Sequence, residues 1–508
     1  MARWRQGLTC AVTLALAVAL GMWAAPTSGQ PAGELVVAEA VTQETLDGQR
    51  STVQTTLNVT FLINEPLVWL DYSDRQIKPL LATSYSLVNN TTWEFKVRRG
   101  VKFTNGEEMD ASTVKFSLDR IRRPELRTPL AIYARVFRDI QVVDKYTVRV
   151  LTTIPAPVLP LYLTRVGMVP PRYLQERGDD EFARNPIGTG PYRLERWVRG
   201  ERVILTVNDS YWDRRPTASR VVWRYIPENS TRTAALGSGE VHVAATVPYN
   251  EVPNLRQRGF TITPVDTTRT MFVQFQLTKD GPVKNKKLRQ ALNYATDKDG
   301  IIKTVLDGYG KRLDGQVLSK DYYGYHDGLK AYPYDPNRAK QLLAEAGYGS
   351  GLTLNFTGPP ERYVRGKEIM QVLAAMFERV GVKTNLIYLE FGRFVASTLL
   401  QKDFKDMTFW GAATVPDADV YLGAVLAKGA VYSMNDSDAF TEAYQRAART
   451  MDPQRRLELY RKAAEIAHDE APVIFLHAQT NVFGVSPKVV GFKPDADEGI
   501  RVHGVRLR

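Results

Sequence analysis

Two closely spaced glycines give the segment NPIGTGPYRLERW, residues 185–197, the look of a phosphate-binding turn. A dinucleotide-binding turn needs a third glycine and an immediate helix, whereas Gly190 is followed by Pro191 and by the alternating stretch YRLERW, which predicts a strand. A P-loop needs lysine and then serine or threonine after the second glycine, and the sequence has no such stretch. We therefore interpret Gly188 and Gly190 as a tight backbone turn before a strand that starts at Tyr192.

Patterns for catalysis or metal binding are also missing from the sequence. It has no Gly-x-Ser-x-Gly turn, and its only cysteine, Cys10, lies near the N-terminus. The histidines lack the short spacings of a metal site, and we expect structural or surface roles for them. They are His242, His326, His468, His477 and His503. The sequence therefore predicts no catalytic residue, no cofactor and no metal site.

Strand and helix patterns alternate along the chain. The clearest unit places a helix between the strand-like stretches LTLNFTG (352–358) and KTNLIYLEF, and Gly381 is placed to end that helix. A second unit joins VVWRYIP (221–227) to VHVAATV (241–247) through a helix that Ser230 could cap. The apolar positions of the first helix are Ile369, Leu373, Met376, Phe377 and Val380. These β-α-β units predict an α/β fold with a parallel or mixed sheet covered by helices.

Two other regions have clear local patterns. The stretch YDPNRAKQLLAEAGY (334–348) predicts a helix that Asp335 caps, with Pro336 at its first position and Gly347 at its end. Residues 88–150 read as strands and hairpins around one helix that starts near Asp110. We interpret this second region as a β-rich subdomain.

The N-terminus has the pattern of a secretory signal peptide. Arg3 and Arg5 precede an apolar stretch from Leu8 to Ala25, and small residues follow it. We predict cleavage between Ala25 and Gly33; a retained membrane anchor is the alternative, because about 18 apolar residues could just span a bilayer. The mature protein is thus expected to act outside the cytoplasmic membrane.

Length and charge limit the class of protein. A chain of 508 residues exceeds what one hydrophobic core usually organises, so about two to three domain-sized units are expected. The formal net charge is +12, but basic and acidic residues are interleaved. This pattern indicates a solvated basic surface and not a nucleic-acid-binding arm.

Several longer blocks occur in a distinctive order along the chain. They are FTNGEEMDASTVKFSLDRI (103–121), NPIGTGPYRLERW, NDSYWDRRP (208–216), NKKLRQALNYATDKDGII (285–302), YDPNRAKQLLAEAGY and APVIFLHAQTNVFGVSP (471–487). In wording, order and spacing, the chain resembles the extracellular solute-binding proteins of family 5, which include dipeptide-, oligopeptide- and nickel-binding proteins of ABC importers. The resemblance covers essentially the whole mature chain.

This resemblance implies a particular architecture. It is an α/β fold of the type II periplasmic-binding-protein kind, with two lobes, an interlobe cleft, two hinge crossings and an extra β-rich subdomain in the N-terminal lobe. The crossings are expected near residues 267–277 and 475–483, so that the lobes can close around a ligand that touches both. The implied segments are a signal peptide at 1–29, lobe I at 30–266 with 482–508 (its β-rich subdomain at about 64–185), and lobe II at 267–481.

The resemblance also implies where a ligand binds. In peptide-binding relatives an extended ligand pairs with protein backbone, and the corresponding edge here is DMTFWGAAT (406–414), with Trp410 forming a wall beside Gly411. Alternatively, Trp410 is an ordinary core aromatic. For Phe409 we prefer this second interpretation. Relatives hold the ligand's α-ammonium with an aspartate three residues after the tryptophan, and that position is Ala413 here. Because an ammonium without its partner is costly to bury, free-amine peptides cannot be assumed as ligands.

Other charged and aromatic residues are candidates for the same cleft. Asp417 or Asp419 could replace the missing acid, or could instead cap a helix or face water. Arg362 is the candidate anchor for a ligand carboxylate, because the arginine fork forms two parallel hydrogen bonds, and Arg365 is its competitor. The candidate aromatic walls, whose alternative is partial burial with the hydroxyl at the surface, are Tyr249, Tyr363 and Tyr432.

The sequence thus predicts the substrate-binding component of an ABC importer, which captures a peptide or peptide-like solute and delivers it to a membrane permease and ATPase complex. We expect a monomer with no enzymatic activity and no nucleic-acid partner. An opine, a sugar-like solute or a nickel chelate is the alternative ligand. From another class, a secreted hydrolase is possible if a serine, a histidine and an aspartate converge in the fold; a chaperone-like or signalling binder is a third option.

Overall fold

One mixed sheet of eleven strands runs through the molecule, and a separate four-stranded sheet lies beside it. The structure is a computed structural model that describes residues 33–508, so the predicted signal peptide and Cys10 lie outside the described residues. The strands are β1 Glu34–Glu39, β2 Val68–Asp71, β3 Gln76–Pro79, β4 Ala82–Asn89, β5 Thr92–Val97, β6 Phe137–Asp144, β7 Thr147–Thr152, β8 Tyr192–Val198, β9 Arg202–Val207, β10 Arg220–Tyr225, β11 Val243–Ala244, β12 Thr261–Phe275, β13 Lys311–Arg312, β14 Leu352–Gly358, β15 Val382–Tyr388, β16 Met407–Ala412, β17 Val473–Val485, β18 Val489–Val490, β19 Lys493–Pro494, β20 Ile500–Arg501 and β21 Arg506–Leu507.

Helices alternate with the strands along the chain. The α-helices are α1 Gln54–Thr60, α2 Ala111–Arg120, α3 Ala131–Ala134, α4 Leu159–Leu163, α5 Pro171–Arg177, α6 Asp179–Phe182, α7 Asn229–Ser238, α8 Val252–Gln257, α9 Lys286–Tyr294, α10 Lys298–Thr304, α11 Pro336–Glu345, α12 Gly366–Glu378, α13 Phe391–Arg393, α14 Ala418–Val425, α15 Asp438–Ala448 and α16 Pro453–Glu470. Short 3-10 helices occur at Gly48–Arg50, Pro124–Leu126, Tyr249–Glu251 and Pro282–Lys284, and a π-helix occurs at Phe394–Leu400.

The order of the large sheet shows two lobes that share two long strands. The order is β15-β14-β16-β12-β17-β11-β1-β10-β9-β8, and β13 pairs with β17 outside this path. We call β1 and β8–β11, with the four-stranded sheet, the first lobe, and β14–β16 with α9–α16 the second lobe. Strands β12 and β17 pair with each other through both lobes, and their pairing shifts register between Asp266 and Thr270. This confirms the predicted two-lobed α/β architecture with two crossings, whereas the residue boundaries of the lobes stay predictions.

The four-stranded sheet forms the β-rich subdomain that the sequence predicts. Its order is β4-β5-β7-β6, and all its pairings are antiparallel. Helix α2 packs on it and starts where predicted, because the Asp110 carboxylate accepts hydrogen bonds from the Ser112 and Thr113 backbone N–H groups at 2.9 and 3.0 Å. Phe95, Val114 and other apolar residues form a core of its own beneath this sheet.

The β-α-β units are confirmed, with differences at their ends. Asp335 caps α11 with Pro336 at its first position, as predicted. Helix α7 is capped by the Glu228 carboxylate and not by Ser230, because that carboxylate reaches the Ser230 and Thr231 N–H groups. Strand β11 is shorter than its sequence pattern, and α12 begins only at Gly366, so the preceding residues form a loop.

The turn at Gly188 and Gly190 packs against the end of α1. A Cβ atom at either glycine would overlap a carbonyl oxygen, that of Ile63 at Gly188 and that of Leu62 at Gly190. The Gly190 N–H donates to the Ile63 carbonyl at 2.8 Å, and the chain then enters β8 at Tyr192. This confirms that the two glycines allow a close approach of two backbones.

Candidate functional site

The strands of both lobes end close to the crossings. In the second lobe, β16 ends at Ala412, opposite Thr270 in β12 and directly beside the register shift. In the first lobe, the segment after β11 returns along β17, where the Val247 N–H donates to the Val482 carbonyl at 2.8 Å. Ligands of open α/β sheets bind outside the carboxyl ends of the strands. We call the region around Thr270, Ala412, Val247 and Val482 the interlobe junction.

Arg362 lies at this junction, in the loop between β14 and α12. Its guanidinium lies over the rings of Tyr363 and Phe391, 5.4 and 5.1 Å from their centroids. Burial lowers the pKa of Arg362, the positive charge of Arg269 lowers it further, and Glu498 acts in the opposite direction. In the part of the chain that the structure describes, no carboxylate lies within the salt-bridge distance of 4.0 Å from Arg362. Arg362 is therefore a partly buried cation without a carboxylate partner.

The backbone on both sides of Arg362 departs from regular structure. Arg365, the residue before α12, has a left-handed φ of 54°. The helix that starts at Phe391 continues as the π-helix Phe394–Leu400. Left-handed non-glycine residues and π-turns are both frequent at functional sites. These two features support a functional role for the corner that carries Arg362.

Two further arginines near the junction are paired with the C-terminal segment. Arg269 of β12 donates to both carboxylate oxygens of Glu498, at 3.0 and 3.1 Å, and Arg165, which follows α4, lies 3.1 Å from Asp497. Burial raises the pKa of Glu498, but the charge and hydrogen bonds of Arg269 outweigh it, so that the pKa is lowered. Sequence reasoning missed these four residues. The available signal was the acidic run DADE at residues 495–498, which stands out in a basic chain.

Trp410 belongs to the core of the second lobe. It is 4% exposed, and its indole N–H donates to the Gln274 side-chain oxygen at 2.9 Å. Its ring packs edge to face against Phe272 and Tyr432, with centroid distances of 5.0 and 6.0 Å. Phe409 is fully buried. These contacts favour the core alternative for both aromatics, and a ligand contact by Trp410 stays a prediction.

The strand predicted to pair with a ligand is only partly an edge. β16 pairs with β12 along its whole length, but with β14 only at Met407 and Thr408. The prediction of a free edge is therefore wrong for these first residues, because β14 covers them. From Phe409 to Ala412 the β14 side of the strand has no strand partner, and the Gly411 carbonyl accepts a hydrogen bond from the Tyr363 hydroxyl at 3.2 Å.

Ala413 is exposed just after this stretch. Its neighbour Thr414 forms hydrogen bonds with one tyrosine of each lobe. The Thr414 side chain reaches Tyr133 of the β-rich subdomain, and the Thr414 N–H donates to the Tyr322 hydroxyl at 3.3 Å. The end of β16 therefore lies where the two lobes meet.

Asp417 and Asp419 are both buried at the start of α14. The Asp417 carboxylate caps the helix through the Asp419 N–H at 2.8 Å and pairs with both terminal nitrogens of Arg456 at 2.6 and 2.8 Å. The Asp419 carboxylate accepts hydrogen bonds from the hydroxyls of Tyr162 and Tyr444, and burial raises its pKa. These partners argue against either aspartate as a replacement for the acid missing at the end of β16.

The remaining candidate tyrosines lie in different surroundings. Tyr363 is next to Arg362 at the junction. Tyr249 donates its hydroxyl proton to the Thr480 carbonyl at 2.6 Å and stacks on Tyr309 at 4.6 Å, which ties the first lobe to the second near the β17 crossing. Tyr432 lies against Trp410. The structure thus brings Tyr363 and Arg362 together and groups Tyr432 with the core.

A separate hollow of about 770 Å³ opens on the second lobe alone. Charges of both signs line it, among them Asp297, Lys298, Asp314 and Lys330. Because residues of only one lobe surround it, a ligand there would make no contact that depends on lobe closure. The interlobe junction is therefore the better candidate for a site that couples binding to closure.

A metal site, a membrane-spanning helix and a catalytic triad each need a recognisable arrangement of residues. Within residues 33–508, no three His, Cys, Asp or Glu side chains are arranged to hold a metal ion, and no helix is long and apolar enough to cross a membrane. The hydrogen-bonded histidine rings in the same range contact backbone groups or Glu465, and none contacts a serine hydroxyl. The arrangement expected of a serine hydrolase is thus not present among the described residues.

Known proteins show the same architecture. The chain is 28% identical over 454 residues to the glutathione-binding protein GsiB of Salmonella paratyphi A, which covers 86% of this chain and 87% of that protein. It is 26% identical to the periplasmic binding protein DppA of Helicobacter pylori, solved in complex with the peptide STSA; the match covers 94% of this chain and 98% of DppA, with a TM-score of 0.82. NikA of Brucella suis, solved with Fe(III)-EDTA, has the same fold, with 24% identity over 94% of this chain and all of NikA, and a TM-score of 0.85.

The family assignment comes from a longer sequence pattern. The profile of the bacterial extracellular solute-binding proteins, family 5, matches residues 76–433, which is more than half of the chain. That range includes the β-rich subdomain, the β12 crossing, the loop of Arg362 and the end of β16. This protein belongs to the bacterial extracellular solute-binding proteins of family 5.

Proposed function

We propose that this protein captures a peptide or peptide-like solute at the interlobe junction and delivers it to the permease of an ABC importer. The proposal places the mature chain outside the cytoplasmic membrane, as a monomeric binding protein without catalysis of its own. The relatives support the peptide class, because GsiB is named for glutathione and DppA was solved with a peptide.

Arg362 is the observation that carries the proposal. An arginine that is partly buried and lacks a carboxylate partner gains free energy when a ligand supplies one. The guanidinium fork suits a carboxylate, which forms two parallel hydrogen bonds with it. Held against Tyr363 and Phe391, this fork is already oriented before a ligand arrives.

The end of β16 supplies the second part of the site. Between Phe409 and Ala412 no β-strand pairs with the β14 side of the strand, where the Gly411 carbonyl accepts a hydrogen bond from Tyr363. An extended ligand could pair with the backbone on this side, as added strands do at exposed sheet edges, while Arg362 holds its carboxylate. A ligand in this position contacts β16 of the second lobe and faces the C-terminal segment of the first, so that it favours the closed form.

Native mass spectrometry of the purified protein, followed by a thermal-shift panel of peptides, opines, oligosaccharides and nickel chelates, tests the proposal. A true ligand at about 100 times its dissociation constant stabilises the fold by about 2.7 kcal/mol, which a melting curve resolves. A strain that lacks the gene should then lose uptake of that solute. Failure of the whole panel to shift the melting temperature, or undiminished uptake, would contradict the proposal.

A further inference from the structure

Three arginines at the interlobe junction differ in their partners. Arg269 is paired with Glu498, and Arg165 with Asp497. Arg362 adds a third guanidinium, and none of the carboxylates among residues 33–508 pairs with it. Arg362 is therefore a cation at the junction that has no carboxylate partner among residues 33–508.

The acidic groups near the junction already have partners within the protein. Asp266 accepts a hydrogen bond from the Thr480 hydroxyl at 2.6 Å and lies 3.7 Å from Lys311, and Glu39 accepts hydrogen bonds from Asn58 and Trp223. Besides Glu498 and Asp497, Asp495 pairs with Arg501, and Asp417 forms its bidentate pair with Arg456. Asp419 accepts hydrogen bonds from tyrosines of both lobes. A ligand ammonium would have to compete with these partners, and a carboxylate that gives up a buried arginine leaves that arginine unpaired.

The end of β16 offers hydroxyl and backbone groups, and Arg165, which lies near its tyrosines, is already paired with Asp497. Ala413 is exposed there, beside the Thr414, Tyr133 and Tyr322 contacts. Hydroxyls and carbonyls can hydrogen-bond an amide or an acyl oxygen, but they do not neutralise an ammonium. The strand end is therefore suited to an uncharged polar group.

We infer that the interlobe site selects carboxylates that lack a free α-ammonium, such as N-acylated peptides, over zwitterionic peptides. The inference rests on the proposed function and makes its ligand class specific. In this class the ligand carboxylate neutralises Arg362, and the blocked amino end lies at the end of β16. A zwitterionic peptide brings the same carboxylate together with an ammonium, and the carboxylates described at the junction are already held by arginines, tyrosines or other side chains.

Calorimetric titration with alanyl-phenylalanine, its N-acetyl derivative and the N-acetyl C-terminal amide tests this selection. We expect the N-acetyl peptide to bind about tenfold or more tightly than the free-amine form, because a desolvated unpaired charge costs at least that ratio, and the amide to lose most of the affinity. Equal or tighter binding of the free-amine dipeptide would overturn the inference and leave the proposed function intact. If none of these compounds bound, the inference would also be overturned. The proposed function would be contradicted only if the wider panel of solutes failed as well.

A gain-of-function variant tests the same inference from the other side. Ala413→Asp adds a carboxylate at an exposed position, so the fold should tolerate it. The variant should reverse the order of affinities, with the free-amine dipeptide gaining about tenfold and the N-acetyl form losing affinity. Gly504→Ala is the control, because it adds a side chain in open space, and it should leave the order of affinities unchanged. Loss of all binding in Ala413→Asp, with its melting temperature unchanged, would contradict the inference.

Discussion

Arg362 and Arg365 belong to one loop, yet their surroundings differ. Arg362 is stacked between two rings and has no carboxylate partner in the described chain, whereas Arg365 is exposed and lies 3.3 Å from Glu368. A partly desolvated arginine has much to gain from a ligand carboxylate, and an exposed pair has little. The two residues therefore form a matched test of the proposed anchor.

Replacing Arg362 with alanine should weaken binding of the solute that native mass spectrometry identifies by about 10- to 100-fold, because a charge-assisted hydrogen-bond pair is lost. The melting temperature of the unliganded protein should stay the same or rise, since an unpaired, partly buried charge is removed. Arg365→Ala is the control and should change affinity less than about twofold. Calorimetry and melting curves of both variants check this, and equal losses of affinity in the two would exclude Arg362 as the anchor.

Glu65 is a buried residue whose charge state should follow pH. Its carboxyl group accepts hydrogen bonds from Thr189, Tyr211 and Trp212, at 2.9, 2.7 and 2.8 Å. Burial raises the pKa of Glu65 from 4.5 to about 7, although these hydrogen bonds lower it. Because the folded-state pKa is the higher one, the contribution of Glu65 to stability is complete below the usual pKa and is lost as the pH rises through about 7.

The difference in unfolding free energy between the wild type and Glu65→Gln should therefore fall as the pH rises from about 5 to about 8, by about 1 to 3 kcal/mol. Denaturant unfolding at several pH values measures it. Glu176→Gln, at an exposed glutamate of α5, is the control and should show a constant difference from the wild type. A constant difference for Glu65→Gln as well would show that Glu65 ionises as it does in the unfolded chain.

At the scale of elements, the sequence predicts local features such as helix caps, but it does not predict which distant residues pair. Asp110, Asp335 and Pro336 mark helix starts because caps act within one turn, and the structure has the helices where these residues predict them. The Arg269–Glu498 pair joins residues 229 positions apart, and the Tyr162–Asp419 contact joins residues 257 positions apart. No sequence periodicity connects such residues. The family resemblance therefore identifies Arg362 as a candidate, and only the fold shows that Arg362 lacks a carboxylate partner.

The sequence of the turn at Gly188 predicts a tight backbone turn and contains no phosphate-binding motif. Gly188→Ala should destabilise the protein by about 2 kcal/mol or more, because the added Cβ overlaps the Ile63 carbonyl and neither backbone can move freely. Gly504→Ala, where a Cβ meets open space, is the control and should change stability by less than about 0.5 kcal/mol. Denaturant midpoints of the two variants measure the effect. Similar midpoints would mean that the turn shifts at little cost.

At the scale of the whole molecule, the lobes are joined away from the crossings as well as at them. Tyr162 of α4, in the β-rich subdomain, donates its hydroxyl proton to Asp419 of the second lobe. Val415 and Val420 of the second lobe pack into the same apolar cluster as Tyr162. Arg75 also reaches Asp321 across the lobes at 2.5 Å, but that pair is exposed and should contribute little. The Tyr162–Asp419 contact is thus one of the buried polar contacts that favour closure on this side, together with those of Arg135 with Tyr444 and of Tyr133 with Thr414.

Tyr162→Phe should therefore weaken solute binding through lobe closure and not through a contact with the solute. Removing a hydrogen bond that exists only between closed lobes shifts the balance towards the open form, and the apparent dissociation constant should rise about tenfold. Tyr460→Phe is the matched control, because the Tyr460 hydroxyl bonds the same Asp419 carboxylate at 3.4 Å, and accepts from Arg456, from within the second lobe. That variant should lower the melting temperature but leave the affinity within about twofold. Calorimetry gives the affinities, and small-angle scattering should show a larger radius of gyration for Tyr162→Phe alone. If both variants lost affinity equally, Asp419 would act on the stability of the second lobe and not on closure, and the solute itself would have to supply the free energy that holds the lobes together.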